Sequence, residues 1–298
     1  MSMFRDVLIA TDGSNLSLEV LKPVSRLLAP LKGGRLIVLH VLPRESETAY
    51  STRERCLNTA NAALEKAKLR LVDLRWSVET LVEEGDPAEQ ILQVAEREAV
   101  DLIALASHGH TGLTRLVRGS VAERVLRSAS APVLICTPTS SQPEGVSRGP
   151  FQRILVPLDG SECAGQIVPL AGAMAFLCEA QLVLFHVRTG AVLQTPLAEV
   201  EAKLRREREA LAEAGVEDVL ITTAEGNTAE EILAVVERLG IDLVALATHG
   251  RTGVMRWSLG SVAEAVARAC RAPLLVFRPN PLGAPPREAP PREAPPPA

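Results

Sequence analysis

Val7-Leu-Ile-Ala-Thr-Asp-Gly-Ser14 is answered later in the chain by Ile154-Leu-Val-Pro-Leu-Asp-Gly-Ser161. Each stretch is an apolar, strand-forming run that stops on Asp-Gly-Ser, a turn signal, so one strand-and-turn unit occurs twice. The echo extends outward: Asp101-Leu-Ile-Ala-Leu-Ala-Ser-His-Gly109 returns as Asp242-Leu-Val-Ala-Leu-Ala-Thr-His-Gly250, and Gly119-Ser-Val-Ala-Glu123 returns as Gly260-Ser-Val-Ala-Glu264. Order and spacing are kept, which makes this a duplicated domain rather than a solenoid of roughly 20–50-residue units.

Within each copy, short Val/Ile/Leu runs alternate with amphipathic stretches. Strands are expected at Val7–Thr11, Arg35–Val41, Ser77–Val82, Asp101–Ser107 and Pro132–Thr137, with the set repeated in the second copy. Continuous apolar runs of this length suit strands buried on both faces of a parallel sheet. Leu57, Leu64, Leu71 and Leu74 share a face of a long second helix, and Asp86-Pro-Ala-Glu89 and Thr228-Ala-Glu-Glu231 each place a cap residue three positions before a glutamate. The fold expected is α/β: two tandem, open, twisted, parallel five-stranded sheets with helices on both faces and right-handed crossovers. The domains are expected at 1–138 and 151–279. A Pro-, Ser- and Gly-rich linker at 139–150 separates them, and a proline-rich tail at 280–298 repeats Ala-Pro-Pro-Arg-Glu, a disordered composition.

Composition narrows the function. The 298 residues carry a net charge of −4, without the basic footprint that duplex nucleic acid demands. Apolar runs stay far short of the roughly 20 residues of a membrane span, and no secretory leader is expected, since Met1 to Arg5 leads straight into a strand-like run. Five scattered cysteines without C-x-x-C spacing read as reduced thiols in a cytoplasmic protein.

Sites in such sheets lie beyond the carboxyl ends of the strands. The loop after strand four runs from Ser107 to Val121, with Gly109, nine residues, then Gly119-Ser120, and in the second copy from Thr248 to Val262, with Gly250, nine residues, then Gly260-Ser261. A glycine before a helix lets backbone N–H groups close on an anion such as phosphate, and Arg115, Arg118, Arg251 and Arg256 lie in the same loops. Ser120-Val-Ala-Glu123 also reads as a capping box, and the two roles are compatible. Asp12 and Asp159 are either turn residues or acceptors for a ribose or an adenine amine. His40 and His186 recur at the ends of strand two, where a structural role is expected. His108-Gly-His110 is not a metal site, since Arg251 replaces the second histidine in the other copy. Neither a Walker loop nor a G-x-G-x-x-G turn is present, nor a lysine or carboxylate pair suited to fast phosphoryl transfer.

These motifs resemble the universal stress protein family, whose ATP-binding members carry Gly-x-x-Gly, nine residues, then Gly-Ser or Gly-Thr. The resemblance spans both copies, with Ala106 and Ala247 replacing the first glycine. It implies the Rossmann-like, adenine nucleotide α-hydrolase-like form of the fold. It also implies an ATP-binding stress-response regulator, with ADP or AMP as further ligands, magnesium carried on the phosphates, and at most slow hydrolysis. Adenine would sit by Ala10, Asp12 and Val41, or Pro157, Asp159 and Val187. Phosphates would sit by Ala106, Gly109, Gly119, Ser120 and Val121, or Ala247, Gly250, Gly260, Ser261 and Val262. Proline often stands two residues before the aspartate in this family, as Pro157 does and Ala10 does not, so the two affinities should differ. The family also pairs domains through their last strands, implying an intrachain pseudo-dimer across Val133–Thr137 and Leu274–Arg278 and leaving room for a homodimer. The alternative functions are a scaffold acting through protein contacts alone, or a weak ATPase that uses loop serine and arginine groups to stabilise phosphate charge.

Overall fold

The computed structural model describes residues 4–42, 44, 50–107, 121–136, 149–190, 197–248 and 260–279. The first half runs β1 (Asp6–Ala10), a 3₁₀ turn at Ser17–Val20, α1 (Leu21–Leu28), β2 (Arg35–Leu42), α2 (Tyr50–Arg70), β3 (Ser77–Glu84), α3 (Pro87–Arg97), β4 (Leu102–Ala106), α4 (Val121–Ser128) and β5 (Val133–Cys136). The second half runs β6 (Arg153–Pro157), α5 (Glu162–Gly165), α6 (Val168–Cys178), β7 (Gln181–Arg188), α7 (Leu197–Glu213), β8 (Val219–Glu225), α8 (Thr228–Leu239), β9 (Leu243–Ala247), α9 (Ser261–Ala269) and β10 (Leu274–Phe277).

The two expected five-stranded halves join edge to edge in one ten-stranded sheet of order β3-β2-β1-β4-β5-β10-β9-β6-β7-β8. Neighbours within each half are parallel, while β5 and β10 are antiparallel, with Leu274 opposite Ile135 and Val276 opposite Val133. The carboxyl ends of β1–β5 therefore point away from those of β6–β10. One face of the sheet is covered by α1, α2, α6 and α7, the other by α3, α4, α8 and α9. Because both faces are covered, alternate residues of a central strand feed different cores: Val7 and Ile9 join one, Leu8 and Ala10 the other. This is why β1 reads as an unbroken apolar run.

Local signals act where they stand. Asp86 caps α3, taking the Glu89 N–H at 3.0 Å, with Pro87 at the first helical position. Arg124 of α4 reaches the same carboxylate at 2.6 Å, and its hydrogen bond, with that of the Glu89 N–H, holds Asp86 below the ordinary aspartate range. In the second half the cap is Asn227, which takes the Ala229 and Glu230 N–H groups, not Thr228. Glutamates at both 230 and 231 satisfy the three-residue rule from either start, and only the extended backbone of Asn227 settles it. The helix α2 stops at Arg70, short of Leu71 and Leu74. There Leu71 donates to Lys68 and Leu74 to Leu71 in three-residue turns. Both leucines still pack on the core because such turns keep nearly the helical direction.

The halves are also clasped. Arg26 of α1 pairs with Asp242 at the foot of β9, both side chains about nine-tenths buried. It donates to the carbonyls of Gly149 (3.0 Å) and Pro150 (3.4 Å), and its guanidinium lies 4.5 Å from the Phe151 ring centre. Asp242 also takes the Gln152 and Arg153 N–H groups. The counterpart carboxylate in the first half, Asp101, takes the N–H groups of Arg5 and Asp6 and has no arginine partner among the described residues. On the opposite face, Arg278 beyond β10 donates to the carbonyl of Arg127 at the end of α4 (2.9 Å).

Candidate functional site

In each half the sheet order reverses beside the first strand: β1 lies between β2 and β4, and β6 between β7 and β9. Chain leaving the two central strands turns to opposite sides, which opens a crevice at their carboxyl ends. Ala10 and Ala106 end β1 and β4 at that point, as Pro157 and Ala247 end β6 and β9. Val41 and Val187 lie near the ends of β2 and β7, one strand over.

The aspartates follow directly. Asp12 takes the Ser14 N–H at 2.9 Å, and Asp159 takes the Ser161 N–H at 2.9 Å. Both are therefore turn residues, held at the mouth of the crevice. The helix cap is the serine and not the aspartate: Ser161 takes the Ala164 N–H at 3.1 Å and starts α5. In the first half Ser14 takes the Ser17 N–H at 3.0 Å, while Thr11 and Ser17 join hydroxyls at 2.7 Å. Glycine is required at position 13, where φ is +78° and a Cβ would lie 2.8 Å from that of Ala63 on α2. His186 is buried beneath its loop, its Nδ1 donating to the Leu158 carbonyl at 2.6 Å. This is the structural role expected of it.

The opposite wall is the start of α9. Gly260 is its N-cap, at φ 84° and ψ 136°, with no side-chain cap. A Cβ there would meet the Thr248 carbonyl oxygen at 2.9 Å, so the amino end of α9 is pressed against the end of β9. Ser261 is the first helical residue, and the capping box read at Ser120 is not formed by this counterpart. A helix start leaves its first N–H groups without intrahelical partners and carries partial positive charge. In the first half α4 begins, among the described residues, at Val121, the counterpart of Val262. Gly109, Gly119, Ser120, Gly250, the loop arginines and His108-Gly-His110 lie outside the described residues.

Three features were not anticipated. Arg124 puts a cation in the first turn of α4, where the second half has Ala265. Ser107 and Thr248 place buried hydroxyl residues just past β4 and β9. They occupy matching positions in the repeat, which was the available signal. On α7, Glu207 lies close to Gly165, and burial pushes its carboxyl upward. The thiols of Cys136, Cys178 and Cys270 are also pushed up by burial, Cys270 to about 11. Such groups stay protonated at neutral pH and take no part in thiolate chemistry.

Residues 3–137 and 150–278 each match the model of the universal stress protein family. A universal stress protein of Methanocaldococcus jannaschii is 32% identical over 141 residues, covering 45% of this chain and 82% of its own. One from Mycobacterium tuberculosis is 25% identical over 213 residues, covering 69% and 70%. Among solved structures, a universal stress protein from Archaeoglobus fulgidus matches 92% of this chain and 96% of its own at a TM-score of 0.74 and 23% identity, a likeness of fold.

Proposed function

This chain belongs to the universal stress protein family in its tandem two-domain form, and on that premise we propose that it is a stress-response regulator whose halves each bind an adenine nucleotide. ATP with magnesium on its phosphates is the reference ligand, and ADP or AMP can occupy the same place. Occupancy then biases what the chain contacts, since a ligand shifts only states that bind it differently.

The observation that carries this reading is the seating of α9 on β9. With Gly260 against the Thr248 carbonyl, the first N–H groups of α9, at Ser261 and Val262, open at the switch point, where an anion is favoured. Across the crevice stands Asp159, an acceptor suited to a ribose hydroxyl or the adenine amine, with Pro157 and Val187 beside it. In the first half the same roles fall to Ala10, Asp12, Val41, Ala106 and Val121, with Gly109, Gly119 and Ser120 on the connecting loop. Ala247 and Gly250 complete the second set.

The test is calorimetric titration of nucleotide-stripped protein with Mg-ATP, repeated on Ser261→Glu. A carboxylate in the first turn of a helix favours the helix, so the fold is kept while phosphate is repelled. The expected result is heat from up to two sites, with the second-half site lost in the variant. No heat from the wild type, or an isotherm unchanged by the variant, overturns the assignment.

A further inference from the structure

Among the described residues no strand pairs with the outer side of β3 or β8, and these two edges of the sheet differ in kind. Along β3, Glu79, Glu83 and Glu84 are each met by an arginine, at 3.7 Å (Arg35), 3.0 Å (Arg97) and 2.5 Å (Arg53). Charge along an edge strand is the usual guard against adding another strand. The other edge, β8, reads Val219-Leu-Ile-Thr-Thr-Ala-Glu225, uncharged until its last residue and rich in β-branched side chains.

Its outward peptide groups follow from two hydrogen bonds. Leu182 N–H donates to the Asp218 carbonyl (2.9 Å), and Gly226 N–H donates to the Arg188 carbonyl (3.1 Å). Even-numbered residues thus face β7, and alternation turns the N–H and C=O of Ile221, Thr223 and Glu225 to the open side. The side chains of Val219 and Ile221 pack on the core beneath α7, and Ala224 packs on the opposite one. Leu220, on the same face as Ala224, remains 38% exposed.

We propose that β8 is a dimerisation edge: two copies of this chain pair β8 with β8, antiparallel, about a two-fold axis at Thr222. This register sets Ile221 opposite Thr223 of the second copy and Val219 opposite Glu225. Outward-facing residues therefore meet as hydrogen-bonded pairs, and Thr222 meets itself in a non-hydrogen-bonded one. Leu220 comes to lie against Ala224 of the second copy, which covers its exposed surface. No like charges face each other. The same operation on β3 about Leu81 would set Glu79 against Glu83, a repelling pair. With one edge guarded and the other self-complementary, association closes at two copies and does not run on into a filament.

Sedimentation equilibrium of the full chain tests this, together with hydrogen exchange at low and high protein concentration. The expected result is twice the chain mass at high concentration and protection of the Ile221 and Thr223 amides that grows with concentration. Leu220→Lys, at an exposed position, returns the chain to single mass, whereas Thr80→Lys on β3 leaves the dimer intact. A wild type that stays at single-chain mass, a dimer that survives Leu220→Lys, or amides of Ile221 and Thr223 indifferent to concentration each overturn it. None of these readouts involves nucleotide.

Discussion

Arg26→Met should be among the most damaging single changes outside the apolar cores. The arginine and Asp242 are each about nine-tenths buried. Removing one partner of such a pair strands the other in low dielectric, at a cost of about 3–5 kcal/mol. Asp242 keeps the N–H groups of Gln152 (3.0 Å) and Arg153 (2.9 Å), which favours the lower end of that range. Loss of the cation over Phe151 adds about 0.5–2 kcal/mol. The sum is roughly 3.5–5 kcal/mol, and at ~2 °C per kcal/mol for a long chain the melting temperature falls by roughly 7–10 °C. Urea unfolding with linear extrapolation measures the loss. Asp101→Asn is the comparison, since Asp101 holds two backbone N–H groups and no arginine among the described residues, and it should cost less than Asp242→Asn. A loss below about 1 kcal/mol for Arg26→Met, the scale of an exposed ion pair, would refute the clasp as a stabilising contact.

Asp86→Ala and Asn227→Ala each remove an N-cap, and each should lower unfolding free energy by about 1 kcal/mol, read by the same urea titration. Gly260→Ala must accept positive φ and a backbone contact of 2.9 Å, so it should destabilise by about 1–3 kcal/mol in the absence of any nucleotide. Circular dichroism melts of the nucleotide-free protein check this. Burial raises the folded-state pKa of Glu207 above its unfolded value, so its stabilising contribution is present at acid pH and is lost as pH rises through the folded pKa. Glu207→Gln should therefore raise the melting temperature near neutral pH relative to wild type and lose that advantage below about pH 4.

Much of this was written in the sequence because the signals are local and occur twice. Strand runs ending on Asp-Gly-Ser, a glycine before a helix, and Asp86 ahead of Pro87 each act over a few residues, and the second copy repeats most of them. The choice between Thr228 and Asn227 was lost to a doubled glutamate. The clasp was invisible for the opposite reason: Arg26 and Asp242 are 216 positions apart, and the repeat offers Ala173 where symmetry would call for a second arginine. The positive φ at Gly260 is likewise a fact of backbone angle, and the sequence shows only that a glycine stands there. The aspartates were legible as loop residues, and the turn they make is set by the serine two positions on.

The antiparallel seam between β5 and β10 gives the molecule two heads facing opposite ways. A molecule bound at the first crevice and one bound at the second cannot share a metal ion or exchange a phosphate. A protein that docks over one occupied crevice leaves the other open to the far side. On the proposed nucleotide reading, the two sites would open in opposite directions, so that each could be loaded without the other.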